Sequence, residues 1–146
     1  MLNVRKEPRF TSVDFDFEDS TLATMGQSKW TVMIKDLLVS CRIGAYPHEY
    51  NRSQQVMINL KCDYYAPVPT PQVEMNQVLC YDQIVQSIYT FIKKDHVYFM
   101  ETLAEEIANI CFADQRVQTA RVAIEKLEAL PDAKSVGIEI VRLRKD

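Results

Sequence analysis

Val56, Ile58, Leu60, Cys62 and Tyr64 alternate with Met57, Asn59, Lys61 and Asp63. A period of two places the first set on one face of a β-strand and the second on the other. An earlier run, Trp30 to Ile43, is also rich in β-branched and apolar residues, and such runs fit a half-buried pleated surface. Between the two lies GAYPHEYNRSQ, whose Gly44, Pro47, Asn51 and Ser53 are turn formers. Two antiparallel strands joined by a hairpin connection are therefore expected.

The proline-bearing APVPTPQ, Ala66 to Gln72, reads as a connector or an edge, because proline has no N–H to give to a central ladder. Beyond it the period changes. Ile84, Val85, Ile88, Phe91 and Ile92 recur at helical spacing, with Asp82 near the start as a cap or dipole partner. Leu103, Ile107, Ile110 and Cys111 repeat the pattern within METLAEEIANIC. Strand character returns at Val117 to Lys126 and at Val136 to Leu143, across a Pro131-Asp132 turn. The predicted order is ββααββ.

One-faced strands and amphipathic helices in this order imply an α+β fold, with both helices on one face of an antiparallel sheet. The outer strands are long and rich in Val and Ile, which invites pairing between copies, so closure of several sheets into an oligomeric barrel is expected. Residues 1–29 mix charge with isolated phenylalanines (FTSVDFDFEDS) and keep no period. They read as a loose arm, and residues 30–146 as the folded domain.

At 146 residues the chain can bury a core without staples. A net charge of -3 argues against a nucleic-acid surface. Cys41, Cys62, Cys80 and Cys111 form no CxxC pair, and only His48 and His96 could assist them, so the sequence suggests neither a zinc site nor a redox motif. With no apolar signal-peptide segment and no run near the roughly 20 residues that span a bilayer, a cytoplasmic protein without a membrane partner is expected.

Four residues invite chemistry. Lys126 lies in register with Val122 and Ile124, so its ammonium shares their face; the ordinary explanation is a stem lying on apolar surface with the charge escaping to water. Glu101 falls in the first turn of the second helix, where the dipole favours its ionised form. Acidic residues collect there for stability alone, but a fixed carboxylate also accepts two parallel hydrogen bonds from a planar ligand edge such as a 2-amino-4-oxo-pyrimidine, with the Met100 backbone beside it. Tyr81 stands at the start of the first helix, where a phenol either packs or faces a cleft. Glu49, among Tyr46, His48 and Arg52, reads equally as a solvated hairpin charge.

Taken in order, IGAYPHEYNRSQQ, VLCY, FMETLAEEIA and IEKLEAL…SVGIEI closely resemble the dihydroneopterin aldolase family over nearly all of Thr31 to Arg142. The landmarks are Glu49 with Gln54 five residues on, Tyr81, Glu101 and Lys126. The resemblance implies a tunnelling fold, with ββααββ subunits closing into a barrel, commonly a homo-octamer of two tetramers, and pterin sites at subunit interfaces. It implies that Glu101 and the Met100 backbone anchor the pterin, that a neighbouring subunit delivers Tyr81 with the Leu79-Cys80 backbone, and that Lys126 and Glu49 bracket the scissile side chain. The implied reaction is retro-aldol cleavage of 7,8-dihydroneopterin, a lyase step of folate synthesis, with no cofactor, metal or Schiff base. Two departures stand out. Many members follow the lysine with proline, whereas KLEALPDAKSV is also similar to the sister dihydroneopterin triphosphate epimerases. An acidic residue often found before the tyrosine is here Asn76 or Gln77. Epimerisation, or pterin or purine binding without catalysis, are the alternatives.

Overall fold

The computed structural model describes residues 27–68 and 78–145; most of the N-terminal arm and of the proline-bearing connector, with Asn76 and Gln77, lies outside them. Among the described residues the elements are β1 (Ser28–Arg42), a 3-10 turn (Pro47–Glu49), β2 (Ser53–Ala66), α1 (Tyr81–Lys94), α2 (Met100–Phe112), β3 (Val117–Lys126) and β4 (Val136–Leu143). The strands form one antiparallel sheet in the order β1-β2-β3-β4. Both helices pack on one face, α2 across β3 and β4 and α1 near β1.

The alternation in β2 does what its period requires: Val56, Ile58, Leu60, Cys62 and Tyr64 are all buried. Val122 and Ile124 of β3 lie beside them, and Ile84, Ile88 and Ile92 of α1 with Leu103, Ile107 and Cys111 of α2 close the same core. Their i, i+4 spacing puts each helical set on one stripe. Asp82 sits in the first turn of α1, but Cys80 occupies the cap position and makes no side-chain cap bond; Asp82 thus serves the helix dipole and does not cap.

β1 holds a feature the sequence pattern conceals. Ile34 pairs with Leu60 and Leu37 with Ile58, so β1 advances three residues while β2 advances two. This bulge contains Asp36 at φ 57, whose amide donates to Asn59 Oδ1 at 2.8 Å. Its effect is to switch which parity faces the core: Val32 and Ile34 pack inward before it, Val39 and Cys41 after it.

The outer strands are β1 and β4. Trp30, Met33, Leu38, Val141 and Leu143 stand exposed on them. No helix among the described residues is long and apolar enough to cross a membrane.

Candidate functional site

The chain turns sharply after β1. Gly44 adopts φ 136, and Pro47 opens the 3-10 turn that ends at Glu49. That geometry folds the Glu49 side chain back over the Gly44 backbone and against the sheet end. Antiparallel pairing then brings the partner from far along the chain: Val56 stands opposite Lys126, the last residue of β3, so Lys126 arrives at the same end of the sheet as the β1–β2 turn.

The Lys126 ammonium donates to Glu49 Oε2 over 2.8 Å, and the two side chains are only 12% and 8% exposed. Gln54 Nε2 donates to the same Oε2 at 3.0 Å and to the Ile43 carbonyl at 2.6 Å. The Tyr46 amide donates to Oε1 at 3.3 Å. Burial pushes the Glu49 carboxyl upward, yet the hydrogen bonds from Lys126, Gln54 and the Tyr46 amide, together with the lysine charge, outweigh it and hold the group below its ordinary range.

Both bland sequence readings fail here. Glu49 is not a solvated hairpin charge but one of two buried polar or charged residues among those described, the other being Thr119. Lys126 does share the face of Val122 and Ile124, but its charge is held by a carboxylate and does not run out into open water.

A cavity of about 100 Å³ opens beside Glu49, lined by His48, Glu49, Arg52, Ser53, Gln54, Glu128 and Ala129. This is below the roughly 300 Å³ of a typical small-ligand pocket. Lys126 and the remaining sequence candidates are not among its walls. Tyr81 is the first residue of α1 and 66% exposed; Leu79 is buried and Cys80 half-buried just before it. Met100 opens α2 and packs partly on the core, while Glu101 is exposed in its first turn. One copy of the chain thus joins Glu49, Gln54 and Lys126, and leaves Tyr81 and Glu101 facing outward. Among the described residues, no three His, Cys, Asp or Glu side chains group to hold a metal ion.

Gly44 is the functional position that sequence reading treated only as a turn former. A Cβ there would come within 3.0 Å of Glu49 Cβ, Cδ and Oε1, so glycine is what lets the carboxylate lie down. Its signal in the sequence is merely a glycine five residues before an acid.

Comparison with known proteins gives a consistent result. The family described as FolB, dihydroneopterin aldolase, matches residues 32–141. The dihydroneopterin triphosphate 2'-epimerase of Escherichia coli (strain K12) is 28% identical over 116 residues, covering 80% of this chain and 97% of that protein. The dihydroneopterin aldolase of Haemophilus influenzae is 24% identical over 111 residues, covering 76% and 94%. Among solved structures, a dihydroneopterin aldolase from Burkholderia thailendensis bound to guanine superimposes with a TM-score of 0.68 at 28% identity, over 80% of this chain and 93% of that one.

Proposed function

Because the chain belongs to the dihydroneopterin aldolase family, we propose that it cleaves 7,8-dihydroneopterin by a retro-aldol reaction, yielding glycolaldehyde and 6-hydroxymethyl-7,8-dihydropterin as a lyase of folate biosynthesis. The substrate carries its own electron sink. As the bond between the first and second side-chain carbons breaks, its electron pair passes into the C6=N5 imine, N5 gains a proton, and an enamine remains. The hydroxyl on the second carbon loses its proton as that carbon becomes the aldehyde. Protonation of the enamine carbon and loss of the N5 proton then restore the imine. The protein has only protons to move and charge to hold.

One observation carries this reading: the buried Lys126–Glu49 pair, 2.8 Å apart, whose Glu49 member lines an open cavity. In the scheme Lys126, directly or through a water, exchanges protons with the side-chain hydroxyl and N5, and Glu49 keeps it oriented. Glu101 accepts from the 2-amino and N3 edge, with the backbones of Met100, Leu79 and Cys80 against the ring. The guanine bound by the Burkholderia relative has the same 2-amino-4-oxo edge as a pterin, which supports this role for Glu101.

A second copy completes the site in this reading. The exposed Tyr81, the small single-subunit cavity and the outer strands β1 and β4 favour sheets joined edge to edge into a tetrameric barrel, two of which stack as an octamer. Tyr81 of the neighbouring copy reprotonates the enamine carbon. Native mass measurement tests the assembly, and a strict monomer at working concentration overturns it.

Epimerisation of the triphosphate is the second reading, favoured by the 28% identity to the Escherichia coli epimerase and the KLEAL run. It uses the same enamine, with the carbon bond remade from the opposite face. Incubation with dihydroneopterin and with its triphosphate, followed by chromatography, separates the two: glycolaldehyde marks cleavage, and epimers without it mark the second reading. Neither product from a folded, assembled protein rejects both.

A further inference from the structure

His96 lies in the link between α1 and α2, 52 residues from Gly44 in sequence, yet its Nε2 stands 2.7 Å from the Gly44 carbonyl oxygen. Its other ring nitrogen, Nδ1, accepts a hydrogen bond from the Asn51 amide at 3.2 Å. A backbone amide only donates and a carbonyl only accepts, so the ring carries its proton on Nε2. Tyr50 and Tyr98 flank the ring, each with a centroid 5.0 Å away.

The two partners bracket the segment that bears Glu49. Both ends of that segment hold unusual backbone, Gly44 at φ 136 and Asn51 at φ 56, and such conformations persist when the surroundings over-determine them. The link supplies further constraint at the Gly44 end: the Val97 amide donates to Arg42 O at 2.8 Å, and the Gly44 amide to Val97 O at 2.9 Å. Arg42 Nη1 adds a bond to Asn51 Oδ1 at 3.1 Å. Among the described residues, the imidazole is the side chain that hydrogen-bonds the backbone of both Gly44 and Asn51. Since the Gly44 backbone lies directly under the Glu49 carboxylate, a shift at Gly44 is a shift of that carboxylate relative to Lys126.

We propose that His96 is a positioning residue, which staples Gly44 to Asn51 and thereby fixes Glu49 against Lys126. The catalytic consequence rests on the proton-transfer reading of that pair; the staple itself does not.

His96→Phe keeps a flat ring for Tyr50 and Tyr98 but no polar atom, and His96→Gln keeps an amide that can donate to Gly44. In assembled His96→Phe, kcat is expected to fall roughly ten- to a hundredfold while KM stays within about twofold, the mark of misplaced chemistry and intact binding. His96→Gln should recover much of that loss. Hydrogen exchange at the Asn51 amide, read by NMR, should speed up in both variants. Wild-type kcat in His96→Phe, or equal losses in both variants, overturns the catalytic role. Unchanged Asn51 exchange overturns the staple, even if wild-type protein turns over neither dihydropterin and the functional reading has failed on its own. Should His96→Phe not assemble, His96→Gln decides: wild-type kcat together with wild-type Asn51 exchange rejects the proposal.

Discussion

The Gly44 backbone runs beneath the Glu49 side chain, so close that a Cβ at residue 44 would meet Glu49 Cβ, Cδ and Oε1 within 3.0 Å. With φ at 136, the position also strains any L side chain. Gly44→Ala is therefore expected to lower stability by about 2 kcal/mol or more. Activity of the folded fraction should fall further still, because the displaced carboxylate no longer meets Lys126. Urea denaturation beside kcat tests both parts; full kcat in the folded variant would mean that the position of Glu49 does not matter to the chemistry.

Lys126 and Glu49 form a unit whose members should not act additively. Lys126→Met leaves a buried carboxylate with only Gln54 and the Tyr46 amide for partners, a loss expected to cost about 1 to 3 kcal/mol. Adding Glu49→Gln removes the orphaned charge, so the double variant should be more stable than Lys126→Met alone. Every combination should lose cleavage by roughly a hundredfold or more. A cycle that is additive within about 0.5 kcal/mol would remove the energetic case for the pair.

The parts of this site differ in how far the sequence exposes them. The strands β3 and β4 begin and end where period and turn residues put them, because β3 has a buried face, β4 a half-buried one, and each a clear boundary. β1 is legible as a strand, but its bulge is not: the run from Trp30 to Ile43 is apolar at both parities, so nothing in it says where the inward face changes. Glu49 and Lys126 are 77 residues apart, and only the β2–β3 register, with Val56 opposite Lys126, makes them neighbours. His96 leaves no pattern at all, since its partners at Gly44 and Asn51 are backbone atoms, which every residue has. Sequence alone told of a carboxylate and an amine; burial and strand pairing are what make them an ion pair.

The depressed ionisation of Glu49 fixes the sign of a pH effect. Its carboxyl titrates lower when folded than when unfolded, so between those values the unfolded chain binds more protons and stability rises with pH. The contribution is complete above the ordinary glutamate value of about 4.3 and disappears as pH falls through the lower, folded one. The stability gap between wild type and Glu49→Gln should then be flat from neutral pH to about pH 5.5 and close below that. Asp114, held low chiefly by its Arg116 hydrogen bonds, titrates in both proteins and cancels from the difference. A gap that stays constant to pH 3 contradicts the assignment.

Glu101 is exposed in the first turn of α2, so its replacement should leave the fold alone. Glu101→Gln is expected to change stability by no more than about 0.5 kcal/mol. It keeps one acceptor and loses the charge, and a charge-assisted bidentate contact is worth about 1.5 to 3 kcal/mol, so guanine affinity should fall at least tenfold. Calorimetric titration with guanine measures this without turnover. Equal affinity in the two proteins means the ring is held elsewhere.

A shared site makes a stronger demand than loss of activity in single variants. Tyr81 is 66% exposed and stands outside the walls of the cavity that Glu49, the partner of Lys126, lines, so on the proposed scheme each site takes its lysine from one copy and its tyrosine from the next. Lys126→Ala and Tyr81→Ala homo-oligomers should then both be inactive. Dissociated, mixed in equal amounts and reassembled, they should regain activity, because a Tyr81→Ala copy supplies an intact lysine and a Lys126→Ala neighbour an intact tyrosine. Random assembly in a cyclic ring puts both into about one site in four, and recovery should approach that fraction of wild type. A mixture shown by native mass spectrometry to hold both variants in one assembly, and still inactive, would place the two residues in separate sites.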